Sequence, residues 1–217
     1  MKALVLGATG ATGKELISQL LQDSDFTVVH TFTRSVPDVS HPKLRNHVVD
    51  FESPEEWKNL VIGDVAFSCM GTTLKAAGSK AAQRKVDYDY QLHFAEAAKQ
   101  NGVPDYILVS AYGASPTSKL FYSRIKGELE TSVKSLHFDK LTILNPGMLD
   151  RKDSNRQGEI LGAKAIRLVN KFGLFKNQTP LPTEVLAQAM IKASKIKSNG
   201  ISHIQLQNIA SFANKTN

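Results

Sequence analysis

The 217-residue sequence has a single cysteine, Cys69, so no disulfide framework can form within the chain. That fits a reducing compartment, and the cytoplasm is the expected location. No apolar run approaches the length that crosses a bilayer. Met1-Lys2 leads straight into a short strand-like run and then glycines, so no signal peptide is expected, and neither is a membrane partner. Histidine occurs at 30, 41, 47, 93, 137 and 203, nowhere with metal-ligand spacing, and no metal site is expected. Internal repeats, low-complexity segments and linkers are also missing. The length fits one domain, residues 1–217, with a core over 1–150 and an elaboration over 151–217 that completes it. The composition, 41% hydrophobic and 22% charged, is that of an ordinary globular protein able to bury its own core.

Acidic residues are outnumbered, and the formal net charge is +7. Lys164, Arg167 and Lys171 share a helical face by spacing, and Lys75, Lys80, Arg84 and Lys85 form a second basic stretch. Both are interleaved with alanines and aliphatics, as solvated helix faces are, and no aromatics join them into one stripe. Specific nucleic-acid binding is therefore not expected. A basic surface also suits an anionic cofactor or substrate.

What is present is an alternation of apolar strands and amphipathic helices. Strand-like runs fall at Lys2–Leu6, Thr27–Thr33, His47–Phe51, Asp64–Cys69, Tyr106–Ser110, Leu141–Leu144 and His203–Leu206. Helical spacing marks Leu16, Ile17, Leu20 and Leu21, then 81–100 ending at Asn101-Gly102, then 121–136, and a helix from Thr183 with that residue as its cap. The pattern predicts an α/β fold, a Rossmann-type doubly wound parallel sheet with helices on both faces and a small C-terminal lobe on the substrate side.

Gly7-Ala-Thr9-Gly10-Ala11-Thr12-Gly13 lies between the first strand and the first helix. Such a turn needs one glycine for positive φ, a second for close approach of the backbone to a pyrophosphate, and a third for helix–strand packing. The amide groups and dipole of the opening helix then face phosphates, so a dinucleotide is expected. The second strand ends Thr31-Phe-Thr-Arg34-Ser35, with no carboxylate to grip ribose hydroxyls and one guanidinium placed for a 2′-phosphate. NADP(H) is the expected cofactor, with NAD(H) second.

Tyr122 and Lys126 stand four residues apart, one helical turn, and Ser110 lies twelve residues before Tyr122 at the carboxyl end of the fifth strand. A phenol near pKa 10 becomes a usable acid/base at neutral pH when a cation favours its phenolate. A serine hydroxyl can orient a substrate carbonyl where charge changes during hydride transfer.

These residues resemble those of the short-chain dehydrogenase/reductase superfamily, in its atypical short members. Gly7, Gly10 and Gly13 match its glycine turn, and Ser110, Tyr122 and Lys126 match its catalytic triad. Asn145-Pro146-Gly147 resembles its proline–glycine turn, whose following residues, here Met148 and Leu149, face the nicotinamide. Asp50-Phe51 matches the pair beside the adenine, and Cys69-Met70-Gly71-Thr72 the cofactor-lining turn after the fourth strand. The run from Cys69 through Val86-Asp-Tyr-Asp-Tyr90 to Lys126-Gly-Glu-Leu-Glu130 is similar to the Tat-interacting oxidoreductase-like subgroup. The resemblance implies an NADP(H)-dependent reductase of a small carbonyl or similar hydride acceptor. Tyr122 would be the proton donor, Ser110 the carbonyl-orienting donor, and Lys126 the residue that holds the nicotinamide ribose and lowers the phenol's pKa. Two departures stand out. The helix-four asparagine that relays protons in many superfamily enzymes has no counterpart in Val86–Phe94, and Asn145 stands where arginine often precedes the proline–glycine turn.

Two alternatives stay open. One is a catalytically silent, NADPH-binding regulatory or protein-interaction module. The other is the same fold acting on a nucleotide-sugar, against which the short C-terminal lobe argues. Cys69 reads as a small buried hydrophobe, and Trp57 with Phe51 and Leu60 as core. Phe172, Leu174 and Phe175 either line a substrate pocket or close the C-terminal lobe. The substrate is not named by the sequence, and a homodimer is one open arrangement.

Overall fold

Ala3, Leu4, Val5 and Leu6 are all fully buried, which places the first strand, β1 (Lys2–Leu6), at the centre of a sheet covered on both faces. The computed structural model describes residues 1–36, 38–150 and 180–215. The remaining strands are β2 (Val28–Thr33), β3 (Leu44–Val48), β4 (Val65–Ser68), β5 (Asp105–Val109), β6 (Lys140–Asn145), β7 (Leu149–Asp150), β8 (Leu181–Pro182) and β9 (Gly200–Gln205). The α-helices are α1 (Ala11–Gln22), α2 (Pro54–Trp57), α3 (Leu74–Ala77), α4 (Lys80–Arg84), α5 (Tyr90–Gln100), α6 (Phe121–Lys134), α7 (Thr183–Lys195) and α8 (Gln207–Asn214).

Seven strands form one sheet in the order β3-β2-β1-β4-β5-β6-β9, every neighbouring pair parallel. Successive side chains of a strand point to opposite faces. Val5, Phe67, Ile107 and Leu144 accordingly join α1, α7 and α8 in one core. Leu6, Ala66, Leu108 and Ile143 join α5 and α6 in the other. The strand order reverses between β1 and β4, where a doubly wound sheet opens a crevice at the carboxyl ends of its strands. The fold is thus an α/β Rossmann-like seven-stranded parallel sheet flanked by helices, as the alternation predicts. The C-terminal segment enters the same sheet, because β9 pairs with β6 and α7 packs on α1.

Several boundaries differ from expectation. The third strand is Leu44–Val48 rather than His47–Phe51. An edge strand is half exposed and tolerates the polar run Leu-Arg-Asn-His-Val, whereas the apolar residues just after it belong to a turn that buries Phe51. The helix expected over 81–100 starts at Lys80 and passes through a π-helical turn, Lys85–Asp89, before α5. Thr183 is the first helical residue, and Pro182 holds the cap position without a side-chain bond. The last strand starts at Gly200, and the β7–β8 pair and α8 carried no advance signal. Trp57 and Phe51 are core, but Leu60 is 45% exposed. Lys164, Arg167, Lys171, Phe172, Leu174 and Phe175 lie outside the described residues. Among the described residues, no helix is long and apolar enough to cross a membrane.

Candidate functional site

The crevice at the strand reversal is a cleft of about 1040 Å³. Its floor is the glycine turn. The Gly10 amide donates to the Gly7 carbonyl at 3.0 Å, and Gly7 has φ +89°, in the left-handed region. A Cβ on Gly7 would lie 2.5 Å from the Met70 amide nitrogen, so this turn and the one after β4 touch backbone to backbone. A Cβ on Gly13 would lie 2.1 Å from the Gly7 carbonyl oxygen, so α1 can approach β1 only with glycine there. Gly10 caps α1 with no side-chain bond, which leaves the amide groups of the first turn facing the cleft. The turn therefore fits a pyrophosphate by its own geometry.

One end of the cleft is built by the termini of β2 and β3. Arg34 is exposed there and makes no ion pair among the described residues. Phe51 stacks on Tyr90 with centroids 5.4 Å apart, a flat surface of the kind an adenine ring occupies. Asp50 does not line the cleft. Its Oδ1 accepts from the Glu52 amide at 2.9 Å and its carbonyl from Trp57 Nε1 at 2.8 Å, so it shapes the turn that presents Phe51. Glu52, which sequence reasoning missed, accepts from Tyr90 Oη at 2.5 Å and from Lys85 Nζ at 2.8 Å. Burial, and then Glu52, push the Tyr90 phenol up to about 12. Lys85 and Arg84, which pairs with Glu128 at 2.5 Å, thus spend charge on neighbouring carboxylates.

The other end gathers the carboxyl ends of β5 and β6 with the start of α6. Ser110, Tyr122, Lys126, Pro146, Gly147 and Leu149 all line it, whereas Met148 does not and is 36% exposed. On α6, Ile125, Leu129 and Val133 enter the core. Tyr122, Lys126 and Glu130 form a neighbouring stripe at four-residue spacing. Tyr122 is 43% exposed and Lys126 only 2%. Burial lowers the Lys126 pKa, and the carboxylates of Asp87 and Glu130 oppose that fall.

Ser110 is buried, and its hydroxyl donates to Glu130 Oε1 at 2.5 Å. The same oxygen accepts from Asn145 Nδ2 at 2.7 Å, and Asn145 Oδ1 lies 3.3 Å from His203 Nδ1. As the hydroxyl stands, its one proton is turned towards Glu130 and its lone pairs remain for other partners. The spacing Lys126-x-x-x-Glu130 was the signal that could have found Glu130. The Cys69 thiol donates to the Leu6 carbonyl at 3.3 Å, and burial pushes it up to about 12, which disfavours the thiolate. Asp87 is fully buried in the segment that lacks the expected asparagine.

A family profile described as NAD(P)H-binding matches residues 7–193. The chain is 39% identical over 166 residues to the protein HTATIP2 of Rattus norvegicus, covering 74% of this chain and 68% of that one. It is 32% identical over 207 residues to the mitochondrial protein FMP52 of Chaetomium globosum, covering 91% and 88%. Among solved structures, a UDP-glucose 4-epimerase of Thermotoga maritima with UDP-glucose superposes with a TM-score of 0.72 at 14% identity, covering 95% of this chain and 76% of that one, a likeness of fold. The expectation of a cytoplasmic location gains no support from the FMP52 relatives, whose names are mitochondrial.

Proposed function

From the premise that this chain belongs to the NAD(P)H-binding, atypical short-chain dehydrogenase/reductase family, we propose that it is an NADP(H)-dependent oxidoreductase of a small carbonyl or similar hydride acceptor. The observation that carries this reading is one cleft lined at its floor by the glycine turn, at one end by Arg34, and at the other by Ser110, Tyr122 and Lys126.

The first-turn amides of α1 would hold the pyrophosphate, and Arg34 would pair with the 2′-phosphate. Phe51 would border the adenine, and Lys126 would donate to the nicotinamide ribose. When bound, NADPH supplies the hydride. Tyr122 gives its phenolic proton to the substrate oxygen, and the Lys126 charge stabilises the phenolate left behind. Ser110 orients the substrate carbonyl as its hydroxyl turns from Glu130 to the oxygen on which charge builds. Leu149 and the Pro146-Gly147 turn would border the nicotinamide end of the cleft.

The test is a titration of NADPH and NADH by calorimetry, followed by NADPH oxidation against a broad panel of aldehydes and ketones. Tighter NADPH binding and turnover of at least one carbonyl are expected. Failure to bind either dinucleotide would overturn the reading. A second reading, a module that binds NADPH without turning it over, is favoured by one observation, the commitment of the Ser110 proton to Glu130. Tight binding with no oxidation across the panel would select it.

A further inference from the structure

Asp87 is fully buried, yet the functional reading above gives it no task. It sits in the π-helical turn Lys85–Asp89, a rare local widening that rotates the helix register and turns this side chain inward. Its Oδ1 accepts from the Thr72 amide at 3.3 Å, beside Gly71 in the cleft wall. Its Oδ2 is buried with no hydrogen-bond partner. A buried carboxylate is destabilising unless a cation offsets it. Burial raises the Asp87 carboxyl, and the charge that opposes the rise is that of Lys126. Lys126 is buried on α6 where that helix packs against this turn, with no direct ion pair between the two. The neighbours of the pair come from three elements. Glu130 on α6 and the Cys69 thiol after β4 also face Lys126, while Gln83 on α4 is the neutral partner of Asp87.

We propose that Asp87 is a positioning residue, the counter-ion that keeps Lys126 charged and aimed into the cleft, so that the Asp87–Lys126 pair sets dinucleotide affinity. This rests on the reading of Lys126 as a cofactor-holding residue. Glu130 shares its charge with Ser110, Asn145 and, at 3.8 Å, the second cation Lys134, whereas the other partners of Asp87, the Thr72 amide and Gln83, are neutral. Removal of the Asp87 charge leaves Lys126 a buried ammonium with weaker support, and its proton departs at lower pH.

The experiment measures NADPH affinity by fluorescence titration from pH 6 to pH 10 in the wild type, Asp87→Asn, Lys126→Met and the double variant. Asp87→Asn is expected to bind like the wild type at pH 6 and to lose about tenfold in affinity at high pH, its break shifted down by about one unit. In the Lys126→Met background the same substitution is expected to change nothing. If Asp87→Asn proves too unstable to purify, the double variant is expected to fold, because the buried charge has left with its counter-ion. An affinity loss equal at every pH and persisting beside Lys126→Met would mean that Asp87 only supports the Thr72 turn, and would overturn the proposal. So would a double variant no more stable than the single. Unchanged affinity in Lys126→Met alone would instead overturn the assignment of Lys126 on which the proposal rests.

Discussion

Ser110 and Glu130 are joined by a 2.5 Å hydrogen bond from hydroxyl to carboxylate, twenty residues apart in sequence and buried together at the carboxyl end of β5. A hydrogen bond to a charged group contributes more than a neutral one, so Ser110→Ala is expected to cost about 2 kcal/mol of stability in urea denaturation. Glu130→Leu, which also loses the bond from Asn145, should cost at least as much, and the double variant less than the sum, because both remove the Ser110–Glu130 bond. Full additivity would show that the two side chains do not act as a pair.

Gly13→Ala tests the cradle. A Cβ only 2.1 Å from the Gly7 carbonyl oxygen forces the turn to open, since neither atom belongs to a side chain that can swing away. NADPH affinity is expected to fall at least about tenfold, or roughly 1.4 kcal/mol, while far-ultraviolet circular dichroism stays that of an α/β protein. Wild-type affinity would mean that the dinucleotide does not use this turn.

Arg34→Asp tests cofactor choice. The substitution removes the exposed guanidinium at the end of β2 and places a carboxylate where NAD-binding proteins carry one. NADPH binding is expected to weaken by about tenfold or more through loss of a charge-assisted phosphate contact, and NADH binding to hold or improve. Calorimetric titration of both cofactors decides it, and an unchanged ratio would contradict the assignment.

Asp105 gives a pH dependence of stability. Burial pushes its carboxyl up to about 6, against the pull of Lys140, whose ammonium is 3.0 Å away and also bonds the carbonyls of Ala193 and Ile196 at the end of α7. Between the ordinary carboxylate value and about 6, the folded chain holds this proton more tightly than the unfolded chain does. The group's contribution is therefore present at low pH and is lost as pH rises through about 6. Asp105→Asn is expected to lack that falling slope, about 1.4 kcal/mol per pH unit at most, so the gap between variant and wild type changes steadily up to about pH 6. Urea denaturation at pH 4, 5, 6 and 7 checks it, and parallel profiles would contradict it.

The sheet was legible in the sequence because its interior strands are buried on both faces, and runs such as Ala3–Leu6 and Tyr106–Val109 leave no room for polar residues. Edge strands hid. Leu44–Val48 fully buries no side chain and Gly200–Gln205 exposes most of its own, so their polarity blurred the pattern and shifted the expected bounds. Glycine turn, Arg34 and the Ser110–Tyr122–Lys126 group were legible because their spacing carries a mechanism, and the fold brings all of them to one cleft. Asp87, Glu130 and Glu52 were not. Each acquires its importance from a partner distant in sequence, Thr72 and Lys126, Ser110, or Tyr90, and the one local hint was the four-residue spacing of Glu130 from Lys126.

Oxidoreductase chemistry on this cleft stands or falls with the Tyr122 hydroxyl. Once the carbonyl panel has yielded a substrate, the decisive measurement is the rate of NADPH oxidation across pH in the wild type and in Tyr122→Phe. The ring that lines the cleft remains in the variant, so NADPH affinity and fold are expected to be unchanged. Turnover is expected to fall by about two orders of magnitude or more, the usual contribution of a positioned proton donor. Full activity in Tyr122→Phe, at any pH, would contradict the proton-donor mechanism.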